Sequence, residues 1–192
     1  MAYDRFTTGD DMTPIVNGRG APQVGNGAGA AGAAMPDAVA GTLSDDDVVV
    51  TLNELIETCL DGEIGFRACA GHANAMELRN AFQKRSTDCS HAAMDLRVHV
   101  LRLGGEPKES GTMAGALHRG WVAVQSTLTG YGDHALLDEC ATGEDHALGA
   151  YRKALKQVLP MDIHTLVQRQ MDGAQRNHDQ IMALRDQYMA FA

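Results

Sequence analysis

The stretch Ser44-Asp45-Asp46-Asp47-Val48-Val49-Val50-Thr51-Leu52-Asn53-Glu54-Leu55-Ile56 decides how the rest of the chain is read. Ser44 is a helix-capping type of residue, because its hydroxyl can accept a backbone N–H of the first turn. Three carboxylates follow it, where the dipole of a helix is positive. From Leu52 onward apolar residues recur at three- and four-residue spacing, through Ile56, Cys59, Phe66 and Ala70. That is the period of one helix face. The pattern predicts a helix over 45–70, with Gly71 as its stop.

Upstream the character changes. Residues 1–43 are rich in glycine and alanine, with a low-complexity run from Gly25 to Ala34. Such a segment cannot bury enough apolar area to offset the entropy of ordering it. A disordered tail over 1–43 is expected, followed by one folded domain over 44–192.

Downstream the helical period returns. A second helix is expected over 75–103, with a stripe through Leu78, Phe82, Cys89, Ala93, Leu96, Val100 and Leu103. Gly104-Gly105-Glu106-Pro107 ends it. A shorter helix over 112–129 carries Met113, Leu117, Trp121, Val124 and Leu128. The third long helix, over 133–158, uses Leu137, Cys140, Ala141, Leu148, Tyr151 and Leu155. Pro160 separates it from a fourth, over 162–190, with Ile163, Val167, Met171, Ala174, Ile181 and Tyr188. No segment alternates as a strand would.

Each long helix would extend for about 40 Å. Short turns make the first and second an antiparallel hairpin, and likewise the third and fourth. The short middle helix with its linkers is long enough to run back along the bundle, so the second and third helices would be parallel. Two hairpins joined by a long crossover is the ferritin-like version of an all-α, antiparallel four-helix bundle.

Composition narrows the function. A net charge of −9 on 192 residues argues against nucleic acid, which requires a concentrated basic surface. No apolar run approaches the ~18 residues of a membrane span. Cys59, Cys69, Cys89 and Cys140 form no CxxC pair and each falls within a helical stripe. Reduced, structural thiols and a cytoplasmic setting follow as the expectation, and the first residues carry no signal-peptide pattern.

Ferritin-like bundles can hold a di-metal centre, with a Glu from two helices and Glu-x-x-His from the other two. Two readings of this sequence select different residues. By spacing, Glu57 precedes Asp88-Cys89-Ser90-His91 as Glu144 precedes Gln175-Arg176-Asn177-His178, which resembles a duplicated, degraded metal motif. By facing, Glu57 lies about 120° from the middle of its stripe and His91 lies farther still. The polar residues predicted to point inward are Glu63, Arg85, Glu144 and His178, and their distances from the turns put all four at one level. Glu63, Glu144 and His178 could ligate a single iron, manganese or zinc ion through oxygen and nitrogen. Arg85 stands where a di-metal protein would have a carboxylate, and its fixed charge would repel a cation. A buried polar network in place of metal is the favoured expectation.

The stretch from Leu52 to Glu63, His118-Arg119-Gly120-Trp121, and Gly143-Glu144-Asp145-His146-Ala147 with Tyr151 resemble a bacterial ferritin-like four-helix-bundle family of unknown function, seen mostly in proteobacteria. The resemblance spans about 48–188. It implies the ferritin-like fold and a cytoplasmic setting, and no established activity. The expectation is a non-enzymatic bundle with a structural, interaction or stress-related role and no cofactor, able to form a homodimer. The alternative is a metal-binding protein or oxidoreductase.

Overall fold

The computed structural model describes residues 43–112 and 132–189. The expected tail over 1–43 lies outside these except for Leu43, and the expected helix over 112–129 except for Thr112. Among the described residues the regular elements are four long helices: α1 (Asp45–His72), α2 (Met76–Arg102), α3 (Asp133–Leu155) and α4 (Met161–Met189).

Ser44 caps α1, accepting the Asp47 N–H at 3.2 Å and donating its hydroxyl to the Asp47 carboxylate at 2.6 Å. The helix runs through Gly71, the expected stop, and ends when Ala73 N–H bonds to the Cys69 carbonyl at 2.9 Å. Three residues sooner than its pattern suggests, α3 ends at Leu155. The chain turns there to carry Leu159 into the core. That turn also sets Pro160 at the head of α4, where its carbonyl accepts the His164 N–H at 2.8 Å.

Contacts at the two ends fix the topology. The Asp133 carboxylate accepts the N–H groups of Asn74 and Ala75 at 2.7 and 3.0 Å, so α3 begins beside the α1–α2 turn. At the opposite end Leu43 N–H reaches the Val158 carbonyl at 3.2 Å, and Arg102 Nη1 lies 3.1 Å from Asp162. Hence α1 is antiparallel to α3 and α2 to α4, while α2 and α3 run parallel across the diagonal. This is the two-hairpin, long-crossover connectivity.

After α2, Gly104 takes a left-handed conformation, φ 78°, and the chain descends along α1. Asn53 donates Nδ2–H to the Glu106 carbonyl at 3.0 Å and accepts the Lys108 N–H at 2.9 Å. One turn on, Glu57 lies 3.3 Å from Lys108 Nζ, and a turn further Thr112 donates its hydroxyl to Asp61 at 2.7 Å. Residues four apart share a helix face, so Asn53, Glu57 and Asp61 form a ladder holding the start of the crossover. A side chain at Gly111 would collide with Asp61, whose Oδ1 lies 2.0 Å from where a Cβ would be.

The core divides into two apolar clusters. One gathers Leu52, Ile56, Leu96, Leu148, Val167 and their neighbours; the other gathers Phe66, Phe82, Leu137, Cys140 and Ile181 with theirs. Between them, at the level of Glu63 on α1, Glu144 on α3 and His178 on α4, the stripes are interrupted, and on α2 Arg85 interrupts the second cluster between Phe82 and Cys89. No described helix is long and apolar enough to cross a membrane.

Candidate functional site

At this polar waist Glu144 is wholly buried, with a relative exposure of 0%. Its place between Cys140 and Leu148 on the inner stripe of α3 aims the carboxylate at the bundle axis. Arg85 reaches it from α2 along the diagonal. Its Nε–H donates to Oε1 and its Nη2–H to Oε2, the latter at 3.0 Å. The two parallel bonds form the bidentate pairing that suits a guanidinium and a carboxylate. The Arg85 guanidinium also lies 5.5 Å from the ring centre of Phe66, a cation–π distance. Burial alone would push Arg85 down, but its bonds to Glu144 prevail and hold the guanidinium above its ordinary value.

A second polar chain crosses the waist. Tyr151 on α3 stands 3.3 Å from Cys59 Sγ on α1 and donates its hydroxyl to Gln170 on α4 at 3.2 Å. Gln170 in turn donates to the Ala92 carbonyl of α2 at 3.1 Å. All four cysteines are buried and free. Burial pushes the Cys59 thiol up to about 11, with the Tyr151 bond partly offsetting it, and pushes Cys89 up to about 12. Its contact with Cys69, then burial, raises Cys140, and burial raises Tyr151. These groups are neutral at ordinary pH.

The waist is also hollow. A cavity of about 670 Å³ lies between the α1–α2 and α3–α4 hairpins, walled by residues of all four helices, including the four cysteines, Arg85, Glu144, Tyr151 and Gln170.

The residues selected by facing divide into two groups. Arg85 and Glu144 come together. Glu63 stays on its own helix, 2.9 Å from Arg67 one turn on. His178 sits 3.3 Å from Asp145 and 3.4 Å from Asp179. The four-membered network expected from facing and level is therefore corrected to a pair, because long side chains on the flank of a stripe reach partners nearer the surface. The spacing-selected residues also have other partners. Glu57 holds Lys108 of the crossover, Asp88 holds Lys84 at 2.6 Å, and Gln175 donates to Asp179 at 2.9 Å. His91 is exposed at the cavity rim. Asp133, Asn53 and Gln170 were not given a functional role by the sequence, and Tyr151 entered only as a stripe position and as part of the resemblance.

The donor set does not fit a metal. Both oxygens of Glu144 are occupied by Arg85, while Glu63 and His178 face other charges. Among the described residues no group of three or more His, Cys, Asp or Glu side chains stands together as ligands.

Fold and waist together define an all-α protein of the ferritin-like four-helix-bundle class. The chain belongs to the DUF2383 family, a domain of unknown function, whose model matches residues 47–157. Among solved structures, it is similar to a two-domain protein from Anabaena variabilis ATCC 29413 containing DJ-1/ThiJ/PfpI-like and ferritin-like domains. That match has a TM-score of 0.64 at 11% identity and covers 79% of this chain. The likeness carries the fold, and the chain covers 40% of that protein. No curated protein matches the sequence.

Proposed function

We propose that this protein is a non-enzymatic ferritin-like bundle in which the Arg85–Glu144 ion pair takes the interior position that carboxylate-bridged metals occupy in related bundles. One observation carries the reading: the fully buried Glu144 gives both oxygens to Arg85. A carboxylate so engaged has its charge offset and each oxygen already accepting from a guanidinium. The guanidinium adds a fixed positive charge where a metal would sit. The Cys59 and Cys89 thiols beside it are held protonated by burial, which makes them poor nucleophiles and poor ligands.

The test is elemental analysis of protein purified without chelators or a metal-affinity column, repeated after incubation with iron, manganese and zinc. Substoichiometric metal in every case is the expected result. Near-stoichiometric metal that disappears in Glu144→Ala would overturn the reading in favour of a metalloprotein with a carboxylate and histidine site.

A further inference from the structure

We infer that the cavity between the two hairpins is a binding site for an uncharged, mainly apolar small molecule. The inference goes beyond the structural role of Arg85 and Glu144 and does not depend on it, because it stands on the volume and walls of the cavity.

The space of about 670 Å³ is a cleft partly open to solvent, reaching from exposed residues such as Lys84 and Arg176 down to the buried Glu144. It falls within the range of about 300–1,000 Å³ typical of small-molecule sites. Its walls are cut back by small residues on every helix: Gly62 and Gly65 on α1, Ala92 on α2, Ala147 on α3, and Gly173 and Ala174 on α4. A Cβ added at Gly65 would meet nothing within 4 Å. Ordinary side chains at these positions would narrow the hollow, and the sequence does not supply them.

The electrostatics select the ligand. Arg85 and Glu144 neutralise one another inside the cavity, and Cys59, Cys89, Cys140 and Tyr151 around it are neutral. The polar wall groups bond among themselves, from Cys59 through Tyr151 and Gln170 to the Ala92 carbonyl. None of them calls for a charged partner. Among the charged residues lining the cavity, Lys84 pairs with Asp88 and Arg169 with Asp95, at 2.6 and 3.7 Å, so these four charges are compensated. A charged molecule entering would lose its hydration without a countercharge, whereas an apolar one gains by leaving water.

The experiment is a fluorescence titration of the full chain with N-phenyl-1-naphthylamine, a neutral apolar probe. A saturable enhancement with one site per chain is expected, weakened roughly tenfold or more in Gly65→Leu and in Ala147→Leu, each confirmed as folded by circular dichroism. A second measurement uses the unmutated chain: its melting temperature rises with probe concentration, as binding to the folded state requires. Absence of saturable enhancement, undiminished binding in a folded filled variant, or a melting temperature unchanged at probe saturation would each overturn the inference. If a filled variant does not fold, the melting-temperature result decides. Failure of the metal-free reading would appear separately, as metal in the elemental analysis with the titration intact.

Discussion

The carboxylate of Asp133 accepts the backbone N–H of Ala75 at 3.0 Å, so the first residue of α3 holds the head of α2. It takes the Asn74 N–H as well, at 2.7 Å, and sets a negative charge at the positive end of the α2 dipole. Ala75 offers no side-chain cap of its own. Asp133→Ala should therefore lower the unfolding free energy by about 1–3 kcal/mol. Asp133→Asn, which keeps one acceptor, should lose less. Urea denaturation monitored by circular dichroism measures both, and equal losses would show that the charge contributes nothing.

Arg85 and Glu144 predict an asymmetric response. Arg85→Ala leaves a fully buried carboxylate without its partner and should destabilise by about 3–5 kcal/mol. Arg85→Lys should fall between that variant and the parent, since an ammonium keeps the charge and loses the planar fork. The double replacement Arg85→Met with Glu144→Leu should recover most of the loss. Denaturant midpoints of the four proteins decide the matter. A double variant as unstable as Arg85→Ala would show that the pair contributes through packing rather than charge.

Asn53 predicts an effect distant from the waist. Its side chain bonds the crossover at Glu106 and Lys108, mimicking a backbone partner. Asn53→Ala should cost about 1–2 kcal/mol. Hydrogen exchange at the Lys108 amide should accelerate while exchange within α4 is unchanged. Uniform acceleration would mean that the ladder has no local role.

The thiols set an alkaline limit. Burial raises Cys59 from 9.0 to about 11 and Cys89 from 9.0 to about 12. A group raised on folding favours the folded state while both states are protonated. It loses that contribution as pH climbs from the unfolded value through the folded one. Melting temperature should accordingly be insensitive to these thiols below pH 9.0 and decline as pH rises through about 11. In Cys59→Ala with Cys89→Ala the decline should be shallower; an identical slope would assign it to Tyr151 and other groups.

The sequence made the long helices legible because apolar stripes, the Ser44 cap and the Gly104–Pro107 break all act locally. Gly71 misled as a stop because a single glycine costs a helix only about 1 kcal/mol, less than tertiary packing supplies. At the waist, facing identified Arg85 and Glu144, whose side chains leave the middle of their stripes and meet.

It misplaced Glu63 because the flank of a stripe leaves a long side chain a choice. Arg67 four residues on was the overlooked partner, at the favourable i,i+4 spacing. Pairings such as Asp133 with Ala75 or Tyr151 with Gln170 join residues whose proximity arises only after the helices dock. The cavity left only its glycines as a trace, since volume between helices is a property of their separation.

The waist has a consequence for assembly. Each hairpin joins segments adjacent in sequence, so each can form locally and then meet the other. Before docking, Arg85 belongs to one half and Glu144 to the other, and each is solvated. A slip of one helical turn between halves would displace them by about 5.4 Å, beyond hydrogen-bond reach. Both charges would then be buried alone. Apolar stripes tolerate such a slip far better, since one leucine can replace another across a seam. The ion pair is thus a registration mark that only one alignment of the two halves satisfies.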